Sequence, residues 1–190
     1  MSVEPYPNAS SARDRFVVER RGARVAHDPW RHQGVIVEEE RAADGSIARV
    51  ATVFLTGREC PWRCVMCDLW RYTIEEDTPV GAIPAQIAAA GHSGASVMKL
   101  YNAGSFFDPR AVPEADYDDI AAQLVGLERV IVESHPALIG ARVDRFLQAL
   151  ARLEVPPRLE VAMGLETAHP DALERLHKRV TLEQLSLIHI

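Results

Sequence analysis

Four short apolar runs, at 47–56, 97–101, 129–133 and 159–165, alternate with segments of helical periodicity. That alternation limits the fold more than any other feature of the chain. Strand–helix units in series argue for a parallel sheet with right-handed crossovers. Helices are expected at 84–90, with Pro84 in the first turn, and at 113–125, 136–153 and 169–177. In the third of these, Leu138, Ile139, Val143, Phe146, Leu147 and Leu150 recur at core-facing spacing. Thr181 and Gln184 have the spacing of a capping box and predict one further helix. Ahead of the series, 34–41 and 47–56 flank Asp44-Gly45 and read as a hairpin. The expected architecture is α/β: a parallel (β/α) sheet of about four βα units, closed or partly closed as a barrel, preceded by a β-hairpin. Such folds bind ligands at the carboxyl ends of their strands. Cys60, Asn102, Glu133 and Glu166 all stand at or just after an expected strand end.

Cys60, Cys64 and Cys67 are the only cysteines, in the run Glu-Cys-Pro-Trp-Arg-Cys-Val-Met-Cys-Asp directly after an apolar strand. An odd number packed into one motif is not a disulfide framework and points to a reducing compartment. Three thiolates ligate three corners of a cubane iron–sulfur cluster and leave the fourth iron open to a small molecule; passive electron carriers usually use four cysteines. Structural zinc asks for four ligands, usually two close pairs, so His92 or Asp68 would have to complete a zinc site. Two readings follow: an iron–sulfur enzyme, or a non-catalytic iron–sulfur or zinc-binding protein.

The motif Cys60-Pro-Trp-Arg-Cys64-Val-Met-Cys67, after a strand and before a βα series, resembles the radical S-adenosylmethionine superfamily. The resemblance runs from about residue 50 to 184 and implies the first four units of a six-unit partial TIM-type barrel. It implies a [4Fe-4S] cluster on Cys60, Cys64 and Cys67, with S-adenosyl-L-methionine on the open iron. In that family one electron from the reduced cluster splits the sulfonium, giving methionine and a 5′-deoxyadenosyl radical that takes hydrogen from the substrate. The electron donor so implied is flavodoxin or ferredoxin.

The same resemblance suggests the cofactor contacts. Met66 precedes the third cysteine, where the family usually has an aromatic residue against the adenine, and its polarizable thioether suits a ring face. Tyr101-Asn102-Ala103-Gly104-Ser105 stands where the family often has a Gly-Gly-Glu-like turn receiving the methionine amino group; Asn102, Gly104 and Ser105 would serve without an acid. Glu133-Ser-His-Pro is similar to a turn of the elongator catalytic-subunit branch. A glutamate ending an apolar strand needs a partner, which a ligand or a nearby arginine would supply. Gly164-Leu165-Glu166-Thr resembles a segment of oxygen-independent coproporphyrinogen oxidases, placing Glu166 at the cofactor. Arg179 matches a family arginine that pairs with the cofactor carboxylate, and a guanidinium suits that task. His135 and His169 read as turn or cap residues.

The formal net charge of −6 gives no global field to draw nucleic acid or anionic lipid. One basic stretch, 13–32, reads as a solvated arm; docking of RNA there would require a steep salt dependence of binding. RNA modification is a function of some relatives and the substrate stays open. No run reaches transmembrane length and no signal-peptide core is present, so the expected location is the cytoplasm without membrane. The expected division is an arm at 1–33, its first twelve residues a loose tail, and a core at 34–190 lacking the C-terminal units of the barrel. The closing Leu-Ser-Leu-Ile-His-Ile reads as foreign to the native chain.

Overall fold

The computed structural model describes residues 5–189, with side chains through 186. Residues 1–4 and 190, which include parts of the expected tail and of the closing run, lie outside the described residues. The elements in chain order are α1 (Ser10–Glu19), β1 (Gly34–Arg41), β2 (Ile47–Leu55), α2 (Ala82–Ala90), β3 (Val97–Asn102), α3 (Tyr117–Ala122), β4 (Arg129–Glu133), α4 (Ala141–Leu150), β5 (Arg158–Ala162), α5 (Pro170–Leu176) and α6 (Leu182–His189). They form an open five-stranded sheet in the order β1-β2-β3-β4-β5. The first pair is antiparallel and the remaining three are parallel.

The hairpin turns at Asp44-Gly45: Gly45 has φ +87° and the Asp44 carboxylate accepts from the Ser46 amide at 2.9 Å. Gly45 supplies the left-handed conformation and Asp44 satisfies a turn amide. Beyond the hairpin the expected alternation holds. The first helix begins two residues before the expected 84, and the next three are shorter than their periodicity implied. Residues 113–125 hold a 3-10 turn (Glu114–Asp116) before α3, and Pro136–Leu138 forms a 3-10 turn separated from α4 by Gly140. Gly140, at φ +159°, breaks what the apolar spacing alone reads as one helix.

One face of the sheet is the core. Val53, Leu55, Met98, Leu100, Val130 and Val132 pack with Ile83 and Ile87 of α2, Ile120 of α3 and Leu150 of α4. Phe106, Phe107, Tyr117 and Phe146 make an aromatic knot beneath β3, with Phe106–Phe146 centroids 5.0 Å apart. Burial of this apolar face is the main force holding the helices to the sheet. By register, the opposite face carries Thr52 and Phe54, Lys99 and Tyr101, Ile131 and Glu133. Ion pairs cross it, Lys99 to Glu40 at 2.5 Å and Arg129 to Glu160 at 3.4 Å.

Two departures concern the N-terminal residues. Residues 10–19 are helical where part of a loose tail was expected, and the basic stretch is no solvated arm. Arg13 is buried: its guanidinium donates to the carbonyls of Pro7 (2.8 Å) and Glu174 (3.0 Å) and lies over the Tyr6 ring. The helix has a weak apolar face, so periodicity did not reveal it; arginine contacts to α5 hold it instead. Among the described residues no helix is long and apolar enough to cross a membrane.

The capping box forms at the start of α6: the Thr181 amide donates to Gln184 Oε1 at 3.0 Å, and the Gln184 amide to Thr181 Oγ1 at 3.2 Å. Thr181→Ala is expected to destabilise the chain by about 1 kcal/mol, read as a fall in thermal midpoint.

Candidate functional site

The cysteine loop begins where β2 ends, and buried amides fix its take-off. The Thr56 amide donates to Gln86 Oε1 and Gln86 Nε2 returns to the Thr56 carbonyl, both at 2.8 Å. A Cβ on Gly57 would lie 3.0 Å from the Ala111 carbonyl oxygen, so any larger residue would press on that backbone. The loop then pairs with residue 74: the Glu59 amide donates to the Ile74 carbonyl at 3.1 Å and the Ile74 amide to the Gly57 carbonyl at 3.0 Å. Farther along, the Val65 amide donates to the Leu176 carbonyl at 3.0 Å and the Cys67 amide to the Cys64 carbonyl at 3.2 Å.

Glu59 organises the outer side of this loop. Its carboxylate accepts from Arg21 at 2.7 Å and pairs with Arg63 at 3.0 Å, while Arg24 closes on its other oxygen. The Glu59 and Arg21 side chains are 12% and 11% exposed. Burial pushes the Glu59 carboxyl up, but hydrogen bonds from Arg21 and Arg24 and the Arg63 charge outweigh it and hold the group below its ordinary value of 4.5. Arg24 also donates to the carbonyls of Trp70 (3.0 Å) and Thr73 (3.2 Å). The arm is thereby stapled to the cysteine loop.

The three cysteines line one cavity of about 330 Å³ together with the ends of three parallel strands. After β3 it receives Gly104 and Ser105; after β4, Glu133 and His135; after β5, Gly164 and Glu166. Met66, half-exposed, closes one side. Among the described residues no three His, Cys, Asp or Glu side chains are placed to hold a single metal ion. As bare thiols the cysteines are disfavoured as anions: burial first, with the neighbouring cysteines adding to it, pushes Cys60 up to about 12 and Cys64 to about 11.

Glu133 is pushed up by burial, against which the Lys178 charge works. Lys178 reaches the cavity from beyond α5 and its ammonium donates to Glu166 Oε1 at 2.7 Å. Glu166 adopts φ +69°, a left-handed conformation that an ordinary residue holds only when its surroundings impose it. Gly164 makes room for this pair: a Cβ there would lie 2.6 Å from Glu166 Oε1 and 2.8 Å from Lys178 Nζ. Gly164→Ala is therefore expected to push both flexible tips aside and part the Lys178–Glu166 pair, with a loss of stability of about 1 kcal/mol or less. A thermal melt of the substituted chain beside the unsubstituted one checks it.

His135 is the pillar of the cavity. Its ring stacks on Trp62 of the cysteine loop at 3.6 Å and 11°. Its Nδ1 accepts from the Ala137 amide at 3.1 Å, capping the 3-10 turn as expected, and its Nε2 therefore donates to the Lys178 carbonyl at 2.8 Å. Burial above all lowers its pKa, keeping the ring neutral as both bonds require. His169 stands at the N-cap of α5, also as expected.

No family model matches the chain, and no curated protein matches it either. Among solved structures, a queuine lyase from Clostridium spiroforme bound to SAM and queuine matches with a TM-score of 0.59 at 20% identity. The two chains share a fold. The match covers 80% of this chain and spans 63% of the length of that one.

Within that fold the site residues expected from the sequence mostly converge. Cys60, Cys64, Cys67, Met66, Gly104, Ser105, Glu133 and Glu166 all line the one cavity. Ser105 is partly committed already, its Oγ accepting from the His135 amide at 3.0 Å. Asn102 sits just under it: a Cβ on Gly104 would be 3.3 Å from Asn102 Nδ2 and 3.5 Å from the Cys60 amide nitrogen. Asn102 borders an adjoining cavity, but its side-chain nitrogen and oxygen are buried. Arg179 is the exception. Its guanidinium pairs with Asp14 at 2.6 Å and lines a separate cleft beside α1. Positive φ at His177 (+59°) and Arg179 (+60°) turns the chain there, and the cation that reaches the site is Lys178. The sequence showed no sign of this, since two adjacent cations give no clue to which one turns inward. Trp62 and Glu59 were likewise missed; their partners His135, Arg21 and Arg24 are far away in sequence.

Proposed function

We propose that the chain is a radical S-adenosylmethionine enzyme. The observation that carries this reading is the convergence of three thiols, three carboxylates (Asp68, Glu133 and Glu166) and one ammonium on a single cavity at the carboxyl ends of parallel strands. The C-x3-C-x2-C motif and the shared fold with a lyase bound to SAM support it.

The donor set fits a [4Fe-4S] cluster with one iron left to the cofactor: three cysteines, and no fourth in the chain. Held by Cys60, Cys64 and Cys67, such a cluster would supply the single electron that reductive cleavage of S-adenosylmethionine requires. The protein's part is to bind, orient and exclude water. An amino acid end group carries an ammonium and a carboxylate, and the cavity offers Glu133 and Glu166 for the first and Lys178 for the second. Met66 covers one side, where its thioether can lie against a ring. Arg179, engaged with Asp14, has no part in this arrangement. Because the free thiols are held protonated by burial, loading the cluster releases protons, and assembly is favoured by higher pH.

The low-potential electron is taken to come from flavodoxin or ferredoxin, and the free cysteines are consistent with a reducing compartment such as the cytoplasm. RNA modification finds less support in the arm, because Arg13, Arg21 and Arg24 are spent on internal partners rather than left for phosphates.

The deciding experiment is anaerobic reconstitution with iron and sulfide, then dithionite and S-adenosylmethionine. Formation of 5′-deoxyadenosine is the expected outcome. A colourless chain carrying one zinc, or an iron–sulfur chain that never cleaves the cofactor, would establish the non-catalytic reading instead.

A further inference from the structure

We propose that Asp14, on the N-terminal helix α1, is the positioning residue that turns Lys178 into the cysteine cavity. Its part in cofactor binding rests on the radical-enzyme reading; its hold on Lys178 does not.

Beyond α5, residues 177, 178 and 179 send their side chains to alternate sides. His177 and Arg179 line the cleft beside α1, and Lys178 lines the cysteine cavity. One carboxylate takes the outer two. Asp14 Oδ1 accepts from His177 Nε2 at 2.9 Å, and Asp14 Oδ2 accepts from the Arg179 guanidinium at 2.6 Å. Lys178 lies between them in sequence and meets Glu166 at 2.7 Å on the far side. Burial pushes the Asp14 carboxyl up, but the hydrogen bonds from His177 and Arg179 outweigh it and hold the group below its ordinary value of 3.8.

His177 and Arg179 both hold left-handed backbone, with φ +59° and +60°. A residue other than glycine keeps that conformation only where its surroundings impose it. A single carboxylate bridging the two side chains is such a constraint. It fixes how the chain turns, and with it the side to which the intervening ammonium is sent. Asp14 is itself well anchored, because the neighbouring Arg13 donates to the carbonyls of Pro7 (2.8 Å) and Glu174 (3.0 Å). A group carried on a docked helix is a firmer reference point than one on a loop. The rival account is that backbone bonds set the turn unaided. The His177 amide donates to the Glu174 carbonyl at 3.1 Å and His135 Nε2 to the Lys178 carbonyl at 2.8 Å, which would leave Asp14 a plain tie for the arm.

The chain offers a direct probe, since Lys99 and Lys178 are its only lysines. Their side chains are similarly covered, 17% and 13% exposed, so Lys99, paired with Glu40 on the sheet, is an internal reference. Acetylation of the folded full chain by N-hydroxysuccinimidyl acetate, followed by peptide mass spectrometry, reads the two rates. Asp14→Ala is expected to raise the rate at Lys178 at least fivefold relative to Lys99. Thr181→Ala, a destabilised control close by, is expected to leave the ratio unchanged. Should Asp14→Ala fail to fold, Asp14→Asn keeps the shape but loses the charge and one acceptor, and at least a twofold rise is expected. An unchanged ratio in the folded Asp14 variant, or an equal rise in Thr181→Ala, overturns the proposal.

Equilibrium dialysis of S-adenosylmethionine with the anaerobically reconstituted chain tests the consequence. Asp14→Ala and Lys178→Met are each expected to weaken binding about tenfold, and the double variant no more than twofold beyond Lys178→Met, because both changes remove the same contact. Fully additive losses, or Lys178→Met binding as tightly as the unsubstituted chain, overturn the proposal. Unmasking of Lys178 by Asp14→Ala in a chain that never binds S-adenosylmethionine removes the radical reading and leaves the hold of Asp14 on Lys178 standing. A chain that forms 5′-deoxyadenosine while Lys178 labelling ignores Asp14 does the reverse.

Discussion

Cys64→Ser is expected to give a folded chain that holds no four-iron cluster and forms no 5′-deoxyadenosine above a protein-free blank. Cys64 is half-buried at the middle of the loop, with its neighbours tied by the Val65 and Cys67 amides. Those ties are backbone bonds and survive the substitution, so the loss of stability should be about 1 kcal/mol or less. A serine hydroxyl is a poor ligand for iron beside two thiolates, and the cavity has no other cysteine to replace it. Iron per chain and product yield after reconstitution check the result. Retention of full iron content with Cys64 absent would show that the thiol is not a cluster ligand.

Glu59→Leu is expected to destabilise the chain by about 3 kcal/mol, read by denaturant or thermal unfolding. Leucine fills part of the space but leaves Arg21 and Arg24, with side chains 11% and 19% exposed, without their shared carboxylate. A half-buried cation stripped of its counterion costs more than the pair ever contributed. The same network gives an acid signature. The Glu59 carboxyl titrates lower in the folded chain than its ordinary 4.5. Its contribution is therefore complete above that value and is lost as pH falls through the lower, folded value. The arm should loosen from the cysteine loop in acid before the sheet unfolds, seen as early hydrogen exchange in residues 10–24. Glu59→Leu should abolish that early step, leaving the arm loose at all pH values.

The alternation of strand and helix was legible because each strand is a short apolar run and each helix begins near a proline or an acidic cluster. The hairpin was legible in Asp44-Gly45, and the last helix in Thr181 and Gln184. These are local signals, and the structure keeps all of them. Gly140 was visible too, but an apolar stripe on both sides of it outweighed a single glycine. The arm was misread because arginines look like solvent-facing residues until their partners are known, and Glu59 and Glu174 lie 35 or more residues from Arg24 and Arg13. The candidate site was legible wherever a residue ends a strand, because the fold itself brings those positions together. Lys178 and Arg179 follow a helix, with no such rule to place them, and two left-handed residues decide which side each cation faces.

The stacked ring pair Trp62–His135 has a consequence for how the site fills. One imidazole braces the cysteine loop on its face and the Lys178 carbonyl at its edge, so the two segments that the proposed function assigns to cluster and cofactor lean on a single support. Whichever guest stiffens that support first spares the next guest the same ordering entropy. Cluster and cofactor should then reinforce each other's affinity by one common factor, whatever the order of arrival.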